Sequence, residues 1–580
     1  MRIPRTVSVA STLFAIALAE PPAPGPGPVL LDAGQHHLGD NAADSFSPKK
    51  PLGPEWSAEI PKLPALPAGL FWGLVADVRH VVDANNREYE EGAYVDEVRI
   101  NGVAVARLND YAGPEGSTTH AAWVPLAGAK LEEGARISVA AGKDVNSANL
   151  DDFEIGNIRL APMRRIEVRT GGPAKILVKG ASRLGPDWLA RAAGRGAFTA
   201  DGTAELLLPA DGTFTITASR GPEFEVATAE VGPWACDPRT LEPKRAFDTP
   251  GMISADFHVH SDPSPDSRIP LPDRVTGYLA EGVEWIVSTD HNRATDFGPA
   301  IRALGAEKVI RSSIGDEITS QKPRIGHFNV FPLTEAVDVT DMPVGALLAR
   351  ADSRAPRERR VLQVNHGRDG GIGYFEIMKF DPATLKSPEA GFELGFDAME
   401  ILNGKSDPRA VGLLLRDWYA LLNAGYRLTA TGNSDSHKLA AEDGGWPRNY
   451  VITGKDGFPP EAELVAAVRA HRLVISCGPV LDVEDAKGVS VVGSQLRGPV
   501  ELTLRLRTPA WAPVKRLLLI ERGTTVKTLE PLAQQKVNLS PDRDSWFVVI
   551  AEGERFEADV VTHGRLKPWG MTNPVWVTAK

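Results

Sequence analysis

The feature that most constrains this chain is a long stretch, Asp248 to Gly478, in which short apolar strand phrases alternate with helix-compatible runs. ISADF, WIVSTDHN, VIRSSIG, HFNVFPL, VLQVNHG, DAMEILNG and RLTATGNS read as strands. PLPDRVTGYLAEG and AVGLLLRDWYALLNAGY read as helices, the first opening on proline and closing at Gly282. Strand–helix alternation of this length predicts an α/β barrel or a parallel sheet. Most of these strands end on residues that bind metals or move protons. His258 and His260 sit in ADFHVHS, Asp290 and His291 end WIVSTDHN, and Glu317 follows VIRSSIGD. His327 opens GHFNVF, His366 ends VLQVNHG, and Asp435 and His437 lie in NSDSH.

In an α/β barrel the C-terminal ends of the strands gather on one rim, so residues far apart in sequence meet in one pocket. His258 and His260, one residue apart on a strand, point the same way. Packing several imidazoles and carboxylates together costs several kcal/mol in desolvation and repulsion unless cations compensate. Imidazole and carboxylate without thiolate suit Zn, Mn or Fe. So many ligands exceed the needs of one ion, so two or three divalent ions are expected. Cys236 and Cys477, the only cysteines, are too few for a thiolate site or a disulfide framework.

The flanks read differently. Residues 30–163 carry strand alternation, with Asn101-Gly102 in VRINGVAV a hairpin signal, and predict a jelly-roll-like β-sandwich. Residues 164–247 predict a small immunoglobulin-like β-domain and linker, 248–479 the metal-bearing barrel, and 480–580 a C-terminal sandwich. The first twenty residues place Arg2 and Arg5 before an apolar run from Val7 to Leu18, with Ala17-Leu18-Ala19 as a cleavage site. This predicts a secretory signal over 1–19, a Pro/Gly linker over 20–29 and a periplasmic or secreted protein without a membrane span. The net charge of −11 gives no sign of a nucleic-acid partner.

HVHS, SPDS, TDHN, DEIT, GHFN, NHG and NSDSH, in this order, resemble the polymerase-and-histidinol-phosphatase (PHP) family. DAMEILNG, GGWPRNYV, RGPEFE, DSWFVVIAEG and TNPVWV resemble its carbaryl-hydrolase-like (CehA/McbA-like) branch. The resemblance covers roughly residues 165–580 and implies a distorted (β/α)7, TIM-like barrel with a trinuclear metal site. It implies ligands at His258, His260, Asp266, His291, Glu317, His327, His366, Asp435 and His437. Asp262 competes with Asp266, and His327 is equally a substrate contact. The motif usually written NHP is NHG here, which loosens that loop and keeps the ligand.

The chemistry expected of such a site is hydrolysis of a small-molecule ester by a metal-bridging hydroxide. A phosphomonoester or phosphodiester is the first choice of substrate, and a carboxyl or carbamate ester the alternative. Asp435 or a nearby imidazole would pass a proton to the leaving group, and Asp290 would orient its neighbours. Arg448 and Arg368 are candidates to approach a bound anion, and Trp446 to line the pocket. A reading of another class makes this an exported carbohydrate- or protein-binding protein with structural metals. In it the first sandwich takes a glycan, and Asp151, Asp152 and Glu154 offer a calcium site. His36, His37, His80, His120, His471 and His563 fall outside the motifs and read as ordinary surface or core residues.

Overall fold

The computed structural model describes residues 25–82, 93–112, 118–145, 147–181, 197–337, 344–439, 442–562 and 565–579. The expected signal segment and His563 lie outside them. No helix among the described residues is long and apolar enough to cross a membrane.

Two sheets make the first β-unit. One runs Val29–Leu38, Phe153–Arg169, Leu70–Arg79, His120–Pro125; the other runs Glu55–Glu59, Arg136–Ala140, Glu97–Ile100, Val103–Arg107. Their alternating apolar residues, among them Leu38, Trp56, Leu74, Val98, Ile137 and Phe153, form one core between the sheets. Asn101 and Gly102 both take positive φ (49° and 80°), as a type I′ hairpin requires. The strand Phe153–Arg169 crosses the expected boundary at 163. Its second half pairs with Thr203–Pro209 and packs against the sheet of Ala174–Ala181 and Thr213–Ser219.

The alternating segment yields two sheets instead of one ladder. In the first, Met252–Val259, Trp285–Ser288 and Arg311–Ile314 are parallel, as expected, while Arg448–Ile452 joins the other side of Met252–Val259 antiparallel. In the second, Val361–Val364, Ala398–Asn403 and Thr429–Asn433 are parallel. Asp316–Gln321 and Arg324–Phe331 form an antiparallel hairpin at its edge, so the GHFNVF strand runs against the expected direction. The two sheets touch at two seams through single parallel bridges, His291 to Glu317 and Val259 to Ser436. The helices Leu271–Ala280 and Pro408–Asn423 connect parallel neighbours, the second capped by Asp407, whose side chain accepts from Ala410 N.

Beyond position 480 the chain does two things: Val480–Glu484, Val500–Arg507 and Gln534–Leu539 form a separate three-stranded sheet that shares an apolar core with Leu517, Phe547 and Val549, and the remaining strands extend the first sheet. Leu473–Cys477 pairs with Trp569–Thr572, which pairs with Ser545–Glu552 and, through it, Arg516–Glu521. Apolar residues from both sides of that position, such as Ile475, Trp511 and Trp546, share one core with Phe257, Val364 and Trp418. The two cysteines are free thiols.

Candidate metal centre

Strand alternation aims His258 and His260 together. Their Nε2 atoms lie 3.2 and 3.1 Å from Glu317 Oε2, and both lie 3.3 Å from Asp435 Oδ1. Glu317 is the hub. Its Oε2 also lies 3.2 Å from His291 Nδ1, and its Oε1 lies 3.1 Å from His327 Nδ1 and 3.5 Å from His366 Nε2. One carboxylate therefore faces five imidazoles supplied by four strands or strand ends. Asp266 Oδ2 lies 3.1 Å from His291 Nε2 and 3.0 Å from His437 Nε2. The nine residues named by the motifs fall into four overlapping groups, each tight enough to share an ion. Asp262 belongs to none of these groups; its backbone amide bonds to Ile269 O instead.

The two seams explain why these side chains converge. The bridges at His291/Glu317 and Val259/Ser436 bring the ends of the two sheets together at the candidate ligands themselves. Two of the candidate ligands also hold backbone conformations that non-glycine residues rarely adopt, His366 with φ 30° and Asp435 with φ 51°. Such outliers collect at sites where geometry matters more than local ease.

The electrostatics follow from burial and proximity. Burial alone would lower the His258 imidazole, but Asp435, Glu317 and Glu400 reverse this and hold it well above its ordinary value. His291 is raised to about 9 against the same desolvation, through Glu317 and Asp266. His260 goes the other way, lowered by burial and by the His437 ring beside it. Glu317 and Asp435 are held well below the carboxylate range although burial opposes it, Glu317 by the imidazoles around it and Asp435 by His258, the Lys405 ammonium and the neighbouring imidazoles.

The donor set fits divalent cations. His258 Nε2, His260 Nε2 and Glu317 Oε2 are buried and have no hydrogen-bond partner, yet they converge on one another. Buried polar atoms are rarely left in that state. An ion bound among them satisfies all three. The floor is closed, with His258, His260 and Glu317 at 0–1% side-chain exposure, whereas Asp266, at 46%, marks the open side.

Supporting residues escaped the sequence reading. Glu400 Oε1 is 3.1 Å from His258 Nδ1 and its Oε2 accepts from His366 N, so one buried carboxylate orients two of the candidate ligands. Asn403 donates to both Glu400 and Asp435, and Asn365 donates to Glu317. For Glu400 and Asn403 the signal was an acid and an amide inside the otherwise apolar strand AMEILN. Asp290 accepts from Ser261 N and Oγ and from Thr295, fixing the loop after His260. It positions the site without joining it.

Three candidates do not reach the cluster. Arg448 Nε and Nη1 donate to the carbonyls of Gly445 and Glu281, and its guanidinium lies against Trp446. Arg368 pairs with Asp417 and donates to the Phe380 carbonyl. Trp446 is buried, donates to Glu281 and packs on Trp511 and Phe556. Burial makes these core residues. In the first β-unit, Asp152 takes His37 and Asn41 while Glu154 takes Arg79 and Ser47 N, so the proposed calcium ligands point to separate partners. His36 pairs with Asp32, His120 with the Thr118 carbonyl and His471 with Thr429.

No family model and no curated protein matches the chain. Among solved structures, a two-domain Bacteroides vulgatus protein containing a predicted PHP-like metal-dependent phosphoesterase is similar at 16% identity. The match covers 58% of this chain and 97% of that one, with a TM-score of 0.31. A lesion-specific endonuclease from Pyrococcus furiosus is similar at 13% identity over 37% of this chain and 56% of its own, with a TM-score of 0.27. An FMN-binding β-glucuronidase from Facaelibacterium prausnitzii spans 95% and 98% at 11% identity, with a TM-score of only 0.16. Likenesses this loose leave the functional reading to the side chains.

Proposed function

We propose that this chain is a metal-dependent hydrolase of the PHP type, cleaving phosphoesters, with carboxyl or carbamate esters as the alternative that the same ligands serve. In this reading the two bridged sheets are a distorted (β/α)7 barrel, and the protein is exported. The observation that carries the reading is the Glu317 hub: one buried carboxylate facing five imidazoles, with three of the converging atoms unpartnered. Divalent cations bound there supply Lewis acidity and lower the pKa of a coordinated water toward neutrality.

The chain's own residues do the rest. His258, His260, His366, Glu317 and Asp435 form a floor that excludes bulk water. Glu400 and Asn403 hold the floor's ring planes and carboxylates in place. His291, His327, His437 and Asp266 face the more open side, where a substrate approaches. A leaving group there lies within reach of an imidazole that can hand it a proton.

The test uses purified protein, metal-free and then reconstituted with manganese or zinc, against p-nitrophenyl phosphate, bis-p-nitrophenyl phosphate and a naphthyl carbamate. Turnover of at least one ester is expected only with metal, and is lost in Asp435→Ala but retained in His36→Ala. Full metal occupancy without turnover of any ester class overturns the reading.

A further inference from the structure

We propose that Lys405 receives the anionic oxygen of the substrate, so that the site selects a negatively charged phosphoester over a neutral carbamate or carboxyl ester. The inference rests on the hydrolase reading above and narrows its substrate class.

The root of Lys405 is fixed to the metal centre. At Gly404 a Cβ would stand 2.4 Å from the Ser434 carbonyl oxygen, so the chain passes against the loop leading into Asp435 only because the residue is glycine. Immediately after it, Lys405 N donates to Asn403 Oδ1 at 2.8 Å, and Asn403 Nδ2 donates to Asp435 Oδ2 at 3.1 Å. The ammonium is thereby carried over the cluster. Its Nζ lies 2.5 Å from His437 Nδ1, 3.7 Å from Asp435 Oδ1 and 3.8 Å from Glu442 Oε2. Its side chain is 35% exposed, against 0–1% for the floor ligands, so it stands on the side a substrate reaches.

Two of its three partners are ones that a loaded site takes away. Neutral imidazole offers a lone pair on one nitrogen only while the other carries the proton. Lys405 can donate to His437 Nδ1 only if the His437 proton sits on Nε2, facing Asp266. If Nε2 held an ion, that proton would lie on Nδ1, where the Asp435 carbonyl, 2.9 Å away, would accept it. Lys405 would then lose its acceptor. Asp435 Oδ1, the oxygen that also faces His258 and His260, would have its charge answered by the same ion. Glu442 remains, and it already answers His437 N and Lys438. The result is an ammonium at the mouth of the centre whose charge is least answered when the enzyme is ready to act. A non-bridging phosphoryl oxygen meets that charge; a neutral ester leaves it unmet. Arg448 and Arg368, the other candidates for this role, are taken up by backbone carbonyls and Asp417.

The experiment compares wild type, Lys405→Met and Lys405→Arg, each loaded with manganese, in three measurements. These are metal content, calorimetric binding of inorganic phosphate, and KM and kcat on p-nitrophenyl phosphate and p-nitrophenyl acetate. Lys405→Met should keep its metal and bind phosphate about tenfold or more weakly, the usual loss for one charge-assisted hydrogen bond. Its KM for the phosphate ester should rise while the KM for the neutral acetate ester, which carries no anionic oxygen before attack, stays unchanged, and Lys405→Arg should restore phosphate binding. Unchanged phosphate affinity at full metal content overturns the proposal. Loss of metal in Lys405→Met also overturns it, making the residue a structural counter-charge. If wild type binds metal and phosphate but cleaves no ester, the hydrolase reading fails while the phosphate arm still judges Lys405.

Discussion

Among the described residues, two buried clusters of charge stand in contrast, one around Lys175 and one around Glu317. At the junction of the small β-unit with the two bridged sheets, Lys175 sits 1% exposed between Glu281 Oε1 at 2.5 Å and Asp443 Oδ1 at 2.9 Å. The remaining oxygens are answered too, Glu281 Oε2 by Trp446 Nε1 and Asp443 Oδ2 by Thr562. Burial would lower the ammonium, but the two carboxylates outweigh it and hold it above its ordinary value. At the Glu317 hub the same kinds of groups converge, and His258 Nε2, His260 Nε2 and Glu317 Oε2 have no hydrogen-bond partner. In the Lys175 cluster the carboxylate oxygens face an ammonium or a neutral donor, so each negative charge meets a fixed partner. The hub aims two imidazole nitrogens and a carboxylate oxygen at a common point, as an ion site must.

Breaking each cluster should therefore give different losses. The largest effect is expected from Glu317→Ala, which should strip the metal and bring turnover to background while circular dichroism stays unchanged. Next, Lys175→Met should leave two buried carboxylates uncompensated and cost about 3–5 kcal/mol in denaturant unfolding. Metal content should persist wherever this variant is folded, and adding Glu281→Gln with Asp443→Asn should recover much of the loss. Glu400→Gln tests the support beneath the hub: metal affinity should fall about 10–100-fold with the fold intact. Equal affinity would mean that His258 needs no negative charge at Nδ1.

The smallest effect concerns a histidine outside both clusters. His471 is buried against Trp576, hydrogen-bonded to Thr429, and pushed down to about 4 by burial and then by Arg427 and Arg469. Its folded pKa lies below the unfolded value of 6.5, so the native state binds fewer protons between the two. The stabilisation is complete above about pH 6.5 and is lost as pH falls toward 4, amounting to roughly 1–2 kcal/mol at pH 5. His471→Asn, which suits the positive φ of 60° here, should flatten the fall in stability between pH 7 and 5. An unchanged slope would place the acid sensitivity elsewhere.

Much of the candidate metal centre was legible because strand ends announce themselves. HVH carries its own geometry, and the ordered motifs name side chains that the seams between the two sheets bring together. What was not legible depends on contacts made across the fold. Arg448 in GGWPRNYV resembles a pocket cation, yet its partner is a carbonyl at Glu281, far upstream. Lys405 carries no motif, and its importance comes from Gly404 pressing against Ser434. Glu400 and Asn403 are polar positions in a buried strand, visible as anomalies but without an assigned partner until His258 and Asp435 arrive beside them. The antiparallel hairpin Asp316–Phe331 and the C-terminal strands that extend the first sheet were hidden for a related reason. Strand phrases show their faces and not their neighbours.

The most direct check is the metal stoichiometry of the folded protein, measured by inductively coupled plasma mass spectrometry after incubation with manganese, zinc or iron and removal of loose ions. Two or three equivalents per chain are predicted, falling sharply in Glu317→Ala without loss of secondary structure. Folded wild-type protein that retains less than one equivalent of every metal offered would contradict the account.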